Sequence, residues 1–236
     1  YRRCAYSLRR RNHGSWLIGI QRTGGAMQKE NQNTFHYYMF NKPFGCVTAR
    51  RDERFPTVME YFKELGNERL SPVGRLDRET EGLLIITDDG KWNQQMTHPA
   101  YQKKKTYEFT VLGDLDEEKL KALQTGILLK GSDIPTLPCQ ITVTGVSVLS
   151  ETLSILHPQV QKAICQNRPC HPVTMGRITI TEGRKRQIRR MMKAVHCCVA
   201  ALKRVSIDNI ILDERLKPGE WKEIPASEVF LSSVCR

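Results

Sequence analysis

The apolar positions of this chain fall into short runs and alternations, with few long helical stripes. Residues 35–40 (FHYYMF) form one such run, closed by the turn signal Asn41-Lys42-Pro43-Phe44-Gly45, and predict a buried strand. Pro56 and Thr57 open a helix: Thr57 and Glu60 have capping-box spacing, and Val58, Tyr61, Phe62 and Leu65 recur at helical intervals. Residues 83–87 predict a strand ended by Asp88-Asp89-Gly90, with a brief helix running on to His98-Pro99. Residues 105–112 (KTYEFTVL) alternate cleanly, with Tyr107, Phe109 and Val111 on one face and Thr106, Glu108 and Thr110 on the other. A helix over 116–124 carries acids in its first turn and Gly126 just past its end. Residues 140–147 and 152–156 predict a strand pair. Residues 157–175 hold three prolines, two cysteines and two histidines without a period, and read as an inserted surface loop. Strand character returns at 177–181 (RITIT), 205–212 and 221–224, and residues 184–195 form a basic amphipathic helix. Strands interspersed with helices, without regular βαβ repetition, predict an α+β fold with a mixed, largely antiparallel sheet.

Charge narrows the class. Lys and Arg total 37 against 25 Asp and Glu, a formal net charge of +12, which favours a polyanionic partner and nucleic acid above all. An apolar fraction of 39% supports a core. No apolar run reaches the roughly 18 residues of a membrane-spanning helix, so no membrane partner is expected. The eight cysteines are irregularly spaced, with Cys197 and Cys198 adjacent, and read as free thiols in a reducing compartment. Cys165, Cys170, His171 and His157 lack the spacing of a zinc site, and no metal is expected.

Residues 1–34 are a separate basic extension. Residues 1–29 contain no Asp or Glu, while Arg2, Arg3, Arg9, Arg10, Arg11 and Arg22 are basic. This composition fits an organelle-targeting segment and predicts a mitochondrial location. A basic arm that touches RNA phosphates in any compartment is the other reading.

The densest chemical signal is the segment Gly74-Arg75-Leu76-Asp77-Arg78-Glu79-Thr80-Glu81-Gly82-Leu83-Leu84-Ile85-Ile86-Thr87-Asp88-Asp89-Gly90. Arginines on both sides of Asp77 keep a carboxylate ionised and available as a nucleophile. Glycines at both ends permit a tight path and the approach of a ligand to the backbone. On charge pattern alone a solvated turn is the better reading.

That segment resembles the GRLD-x-x-[TS]-x-GLL signature of the RsuA-type ribosomal RNA pseudouridine synthases. Three further segments match in order: Asn41-Lys42-Pro43-Phe44-Gly45-Cys46-Val47-Thr48, Lys105-Thr106-Tyr107, and Glu182-Gly183-Arg184-Lys185-Arg186-Gln187-Ile188-Arg189-Arg190-Met191. The resemblance implies a pseudouridine synthase fold with a central cleft over residues 35–236. It also implies isomerisation of a specific uridine in ribosomal RNA, without metal or cofactor. Asp77 matches the catalytic aspartate, which either attacks the anomeric carbon or removes a ribose proton. Tyr107 matches the tyrosine that stacks on the target base, although the strand pattern alone favours a core tyrosine. Arg189 matches the arginine that pairs with the aspartate, and Arg75 lies near the extruded nucleotide. On the basic helix, Ile188, Met191, Met192 and Val195 form the apolar stripe, and one step of about 100° puts Arg189 at its edge. Arg186, Arg190 and Lys193 point outward as RNA-phosphate contacts.

Many such enzymes begin with a small RNA-binding module, for which residues 1–34 are too few. A member lacking that module is expected, which points to a large-subunit-modifying branch. The partner is ribosomal RNA, within a pre-ribosomal particle, with a protein partner for recruitment as a further option. The alternative function is a ribosome-assembly factor that keeps the fold while its catalysis is dispensable. A hydrolytic glycosidase fits less well, because these motifs show no second carboxylate to activate water.

Overall fold

A computed structural model describes residues 35–164 and 167–230. The basic extension and the targeting reading attached to it lie outside the described residues. One mixed sheet organises the rest. Its strands are β1 (Tyr37–Lys42), β2 (Ser71–Pro72), β3 (Glu81–Thr87), β4 (Lys105–Leu112), β5 (Gln140–Val148), β6 (Pro172–Ile180), β7 (Cys198–Ile207), β8 (Ile210–Ile211) and β9 (Trp221–Glu223). They lie in the order β5-β6-β4-β7-β3-β1-β9, with β2 on β3 and β8 on β7. Every pairing is antiparallel except β3 with β7, which run parallel through Glu81↔Lys203 and Gly82↔Arg204.

The continuous apolar run at the start has a simple cause: all of β1 is buried. Tyr38 and Phe40 face one core, together with Leu84, Ile86, Phe62, Phe109, Ile178 and Met191. Tyr37 and Met39 face a second core with Leu83, Ile85, Trp92 and Ile207. A strand covered on both faces has no polar side to alternate with. The cleanly alternating β4 is covered on one face only, with Tyr107, Phe109 and Val111 buried.

Helix α1 (Gly90–Thr97) starts where Asp89 accepts the backbone N–H groups of Lys91 and Trp92, both at 3.0 Å. Tyr37 also donates its hydroxyl to Asp89 at 2.7 Å, and Asp88 accepts from the His36 backbone and the Asn67 amide. The paired aspartates are therefore structural braces. The helix opened by Thr57 is a 3-10 helix over Val58–Leu65, capped by Thr57 and Glu60; Val58 and Phe62 are buried, whereas Tyr61 and Leu65 are exposed. Helices α2 (Glu117–Thr125) and α5 (Gln187–Ala194) fall within two or three residues of the predicted spans. Arg186, in the left-handed region at φ 51°, introduces α5.

Three stretches differ from the sequence reading, the first being the strand predicted at 205–212, which is the end of β7 and β8 parted by a turn at Asp208 and Asn209. Residues 152–155 are helical, in α3 (Leu149–Thr152) and a 3-10 turn (Leu153–Ile155), so β5 pairs with β6 instead. Leu149, Thr152 and Leu156 are the buried positions, a spacing of three and four that suits a helix and not a strand. Within 157–175, α4 (Pro158–Ala163) forms behind a His157 cap, and β6 begins at Pro172. The His157 ring stacks on Phe44 at 3.9 Å and so docks this segment on the β1–β2 connection.

Candidate active site

The motif loop, residues 73–80, joins β2 to β3, and its backbone is held from several sides. Thr48 donates its hydroxyl to the Leu76 carbonyl at 2.9 Å and accepts the Leu76 N–H at 3.1 Å. Thr80 N–H closes a turn on the Asp77 carbonyl at 3.0 Å. Gly45 N–H donates to the Arg78 carbonyl at 2.9 Å. Lys42, with 0% exposure, sends its Nζ to the carbonyls of Thr80 at 2.8 Å, Pro43 at 3.0 Å and Arg78 at 3.3 Å. Arg189 reaches in from α5, with Nη2 on the Glu79 carbonyl at 2.9 Å and Nη1 on the Val199 carbonyl at 3.2 Å. Each carbonyl from Leu76 to Thr80 thus has a donor. The loop is rigid by construction.

This backbone presents the half-buried Asp77 to a cavity of about 720 Å³. The far wall comes from the sheet: Lys105 and Tyr107 of β4, and Leu202, Arg204 and Ile207 of β7. Tyr107 is 7% exposed, with the inward setting its alternation predicts. The segment from Ile180 to Arg189 supplies a third side, and Arg75 stands exposed at the rim. Eight Lys and Arg residues line the cavity against Asp77 and Glu182, a balance that draws in an anionic chain. Glu182 braces this side: it accepts the Leu137 N–H, the Gln187 amide and the Arg184 Nε at 2.9, 2.6 and 2.9 Å.

Asp77, Tyr107, Arg189, Arg75 and Arg186 therefore meet at one cavity, although three of the contacts differ from expectation. Arg189 donates to two carbonyls instead of pairing with the Asp77 carboxylate. Burial pushes its guanidinium down from the usual arginine range, while the charges of Glu79 and Asp77 act in the opposite direction. Arg78 does not flank Asp77 as an ion partner. It pairs with Glu79 at 3.1 Å and lies 4.3 Å over the Phe55 ring. Burial opposes ionisation of the Glu79 carboxyl, but a backbone N–H and the charges of Arg78 and Arg189 leave it below its ordinary value. Arg190 is half-buried, with Nη2 on the Lys130 carbonyl at 2.7 Å, while Arg186 and Lys193 are exposed as expected.

Sequence reasoning gave no role to Lys42 or Arg204. The signal for Lys42 was present, since a lone cation ending a buried run must find polar partners. Burial pushes its ammonium down, and the carboxylates of Glu81, Glu79 and Asp77 counter that shift.

The family model for RNA pseudouridylate synthase matches residues 36–194. The chain belongs to the RNA pseudouridylate synthase family. This synthase is similar to the ribosomal small subunit pseudouridine synthase A of Haemophilus influenzae, 32% identical over 193 residues, 82% of this chain and 72% of that protein. The enzyme of that name from Vibrio cholerae is 32% identical over 221 residues, 89% of this chain and 84% of the relative. A crystal structure of pseudouridylate synthase superposes with a TM-score of 0.67 at 32% identity, covering 83% of this chain and 73% of the other. Human RNA pseudouridylate synthase domain containing 1, at 14% identity and a TM-score of 0.50 over 78% of this chain and 80% of its own, shares the fold.

The synthase should depend on Lys42 for the shape of its loop. Lys42→Met keeps the volume but takes charged donors from three carbonyls, and is expected to lower stability by about 2–4 kcal/mol. Urea unfolding measures this loss. A change below about 0.5 kcal/mol would mean that the carbonyls find other donors.

Proposed function

We propose that this synthase converts a specific uridine of ribosomal RNA to pseudouridine, with Asp77 as the catalytic carboxylate. The observation that carries the reading is the convergence of Asp77, Tyr107, Arg75 and Arg189 on one basic cavity. The names of the curated relatives favour a small-subunit RNA, in place of the large-subunit branch suggested by the short extension. Residues 35–236 serve as the catalytic domain and residues 1–34 as an appendage.

The geometry supports a role for each residue in this reading. Asp77 is in no hydrogen bond or ion pair through its carboxylate among the described residues, which leaves both oxygens for the ribose. Tyr107 offers its ring to the base, an interaction worth about 1–3 kcal/mol. Arg189 holds the Glu79 carbonyl, and so acts on Asp77 by fixing the loop as well as by charge. Arg75, at the rim, meets the nucleotide as it leaves the stack, a step that takes a few kcal/mol. Phosphate contacts at Arg186 and Lys193 offset that energy.

Those contacts predict a salt effect. Replacing Arg186 or Lys193 by alanine should reduce the slope of log affinity against log salt by about 1 each, measured by RNA titration. Arg190→Ala should reduce it less, because one Nη is already bound to Lys130. Equal effects at all three positions would count against this face as the RNA surface.

The deciding experiment maps pseudouridine in ribosomal RNA from cells that lack the protein and carry either wild type or Asp77→Ala. One or a few sites should return only with wild type. Sites that persist without the protein, combined with an assembly defect on its deletion, would favour the assembly-factor reading. The basic extension, free of acids over residues 1–29, supports a mitochondrial location, so the map includes mitochondrial ribosomal RNA. A tagged full-length chain found only outside mitochondria would overturn that part.

A further inference from the structure

Three cations surround the motif loop, Lys42 and Arg204 buried and Arg189 half-buried, and they are not equivalent. Lys42 has three carbonyl partners, and both Nη groups of Arg189 have one each, although its Nε is buried without an acceptor. Arg204 on β7 is 2% exposed and spends only Nε, on the Leu83 carbonyl at 2.8 Å. Its Nη2 is buried without any acceptor. Among the described residues it belongs to no ion pair. A buried guanidinium with an unused donor is unfavourable for the protein alone.

The residue that carries this donor stands in the cavity wall. Arg204 is the cross-strand partner of Tyr107, and Leu202 is the partner of Phe109, so these side chains share one sheet face. Both Arg204 and Tyr107 line the cavity. Lys105, two residues before Tyr107, lines it as well and adds a second cation to this wall; burial and then the charge of Arg204 push its ammonium down. RNA phosphates are poor candidates for this donor. They stay with the backbone at the rim, where the exposed Arg75 and Arg186 stand, whereas Arg204 lies in the wall against which the base would stack.

We propose that Arg204 is a further catalytic residue, whose Nη edge donates to a ring carbonyl of the extruded uracil and holds its negative charge once the base is detached. The inference rests on the cavity being the uridine site. When the C1′–N1 bond breaks, its electron pair leaves with the base and spreads from N1 onto O2 and O4. Arg204 remains protonated throughout and only donates a hydrogen bond. The ring then turns, C5 bonds to C1′, C5 releases a proton, and N1 takes one up. No atom is gained or lost.

The test uses full-length protein and the RNA whose modification the wild type restores. If wild type forms no pseudouridine on it, the uridine reading fails before Arg204 is reached. With wild type active, Arg204→Met should slow the single-turnover rate at saturating RNA about 100-fold. RNA affinity should stay within about threefold, the split expected of an interaction made in the transition state. Guanidinium added to Arg204→Ala should restore part of the rate. An Arg204→Met rate within about threefold of wild type would overturn the proposal. So would a rate loss matched by weaker RNA binding, with no rescue by guanidinium. If neither variant folds, wild-type enzyme decides with target uridines carrying sulfur at O2 or at O4. One of the two should react at least about tenfold more slowly at equal affinity, and equal rates for uridine and both thio-substrates would end the idea.

Discussion

Asp77→Ala is expected to slow pseudouridine formation by about 10⁴-fold or more, the scale set by removing a covalent or general-base group from a preorganised site. The fold should not register the change. The loop carbonyls from Leu76 to Thr80 are held by Thr48, Thr80, Gly45, Lys42 and Arg189, none of which bonds to the Asp77 side chain. Truncation therefore leaves no donor stranded, and stability should stay within about 0.5 kcal/mol of wild type. RNA affinity should also hold, or rise slightly, because a negative charge is removed from a basic cavity. Single-turnover assays beside filter binding and thermal unfolding separate these quantities. A rate within about tenfold of wild type would remove Asp77 from the chemistry. A rate lost together with the unfolding transition would move it from chemistry to structure.

What the sequence made legible follows from how local each cause is. The strand end at Asp88-Asp89-Gly90, the alternation of β4 and the Thr57–Glu60 box are each set by residues within a few positions. All three are plain in the string. The parallel pairing of β3 with β7 joins Glu81 to Lys203 across more than half of the chain, and no local pattern encodes it. The helical turns at 149–155 were hidden for a related reason: residues 152–156 read as a strand until the burial of Leu149, Thr152 and Leu156 together is seen. At the site, the resemblance of four ordered segments to a known family nominated Asp77, Tyr107 and Arg189. It was not enough to say what each touches. Arg78 has Phe55 and Glu79 within reach, and Arg189 has two carbonyls, because the folded loop brings up partners that no spacing reveals. Lys42 and Arg204 escaped notice because their partners are main-chain carbonyls, which every residue carries.

The three glycines of the motif look alike in the sequence, and the fold gives them unlike roles. Gly90 begins α1, has no atom within 4 Å of an added Cβ and is not at positive φ. Gly74, at φ +72°, would bring a Cβ to 3.4 Å from the flexible end of Thr97. Gly82, at φ +97°, would place a Cβ 2.3 Å from the Arg204 carbonyl oxygen and 2.9 Å from its nitrogen. Gly82 pairs with Lys42 of β1 on one side and Arg204 of β7 on the other, so two buried cations flank it in one row across the sheet. What approaches this backbone is a neighbouring strand, not a ligand.

Gly82→Ala must push β7 away from β3 or distort both, and the backbone strain adds to the overpacking. A loss of about 4 kcal/mol or more is expected, enough to empty the native state of a marginally stable domain. Gly74→Ala carries the strain without the collision and should lose only about 1–2 kcal/mol. Urea unfolding of the two variants side by side isolates the collision, since both introduce the same methyl group in the same motif. If Gly82→Ala matched Gly74→Ala, the strands would have room to part. Arg204 could then shift away from Tyr107 without penalty, and the sheet would no longer be what holds that side of the cavity in register with Asp77.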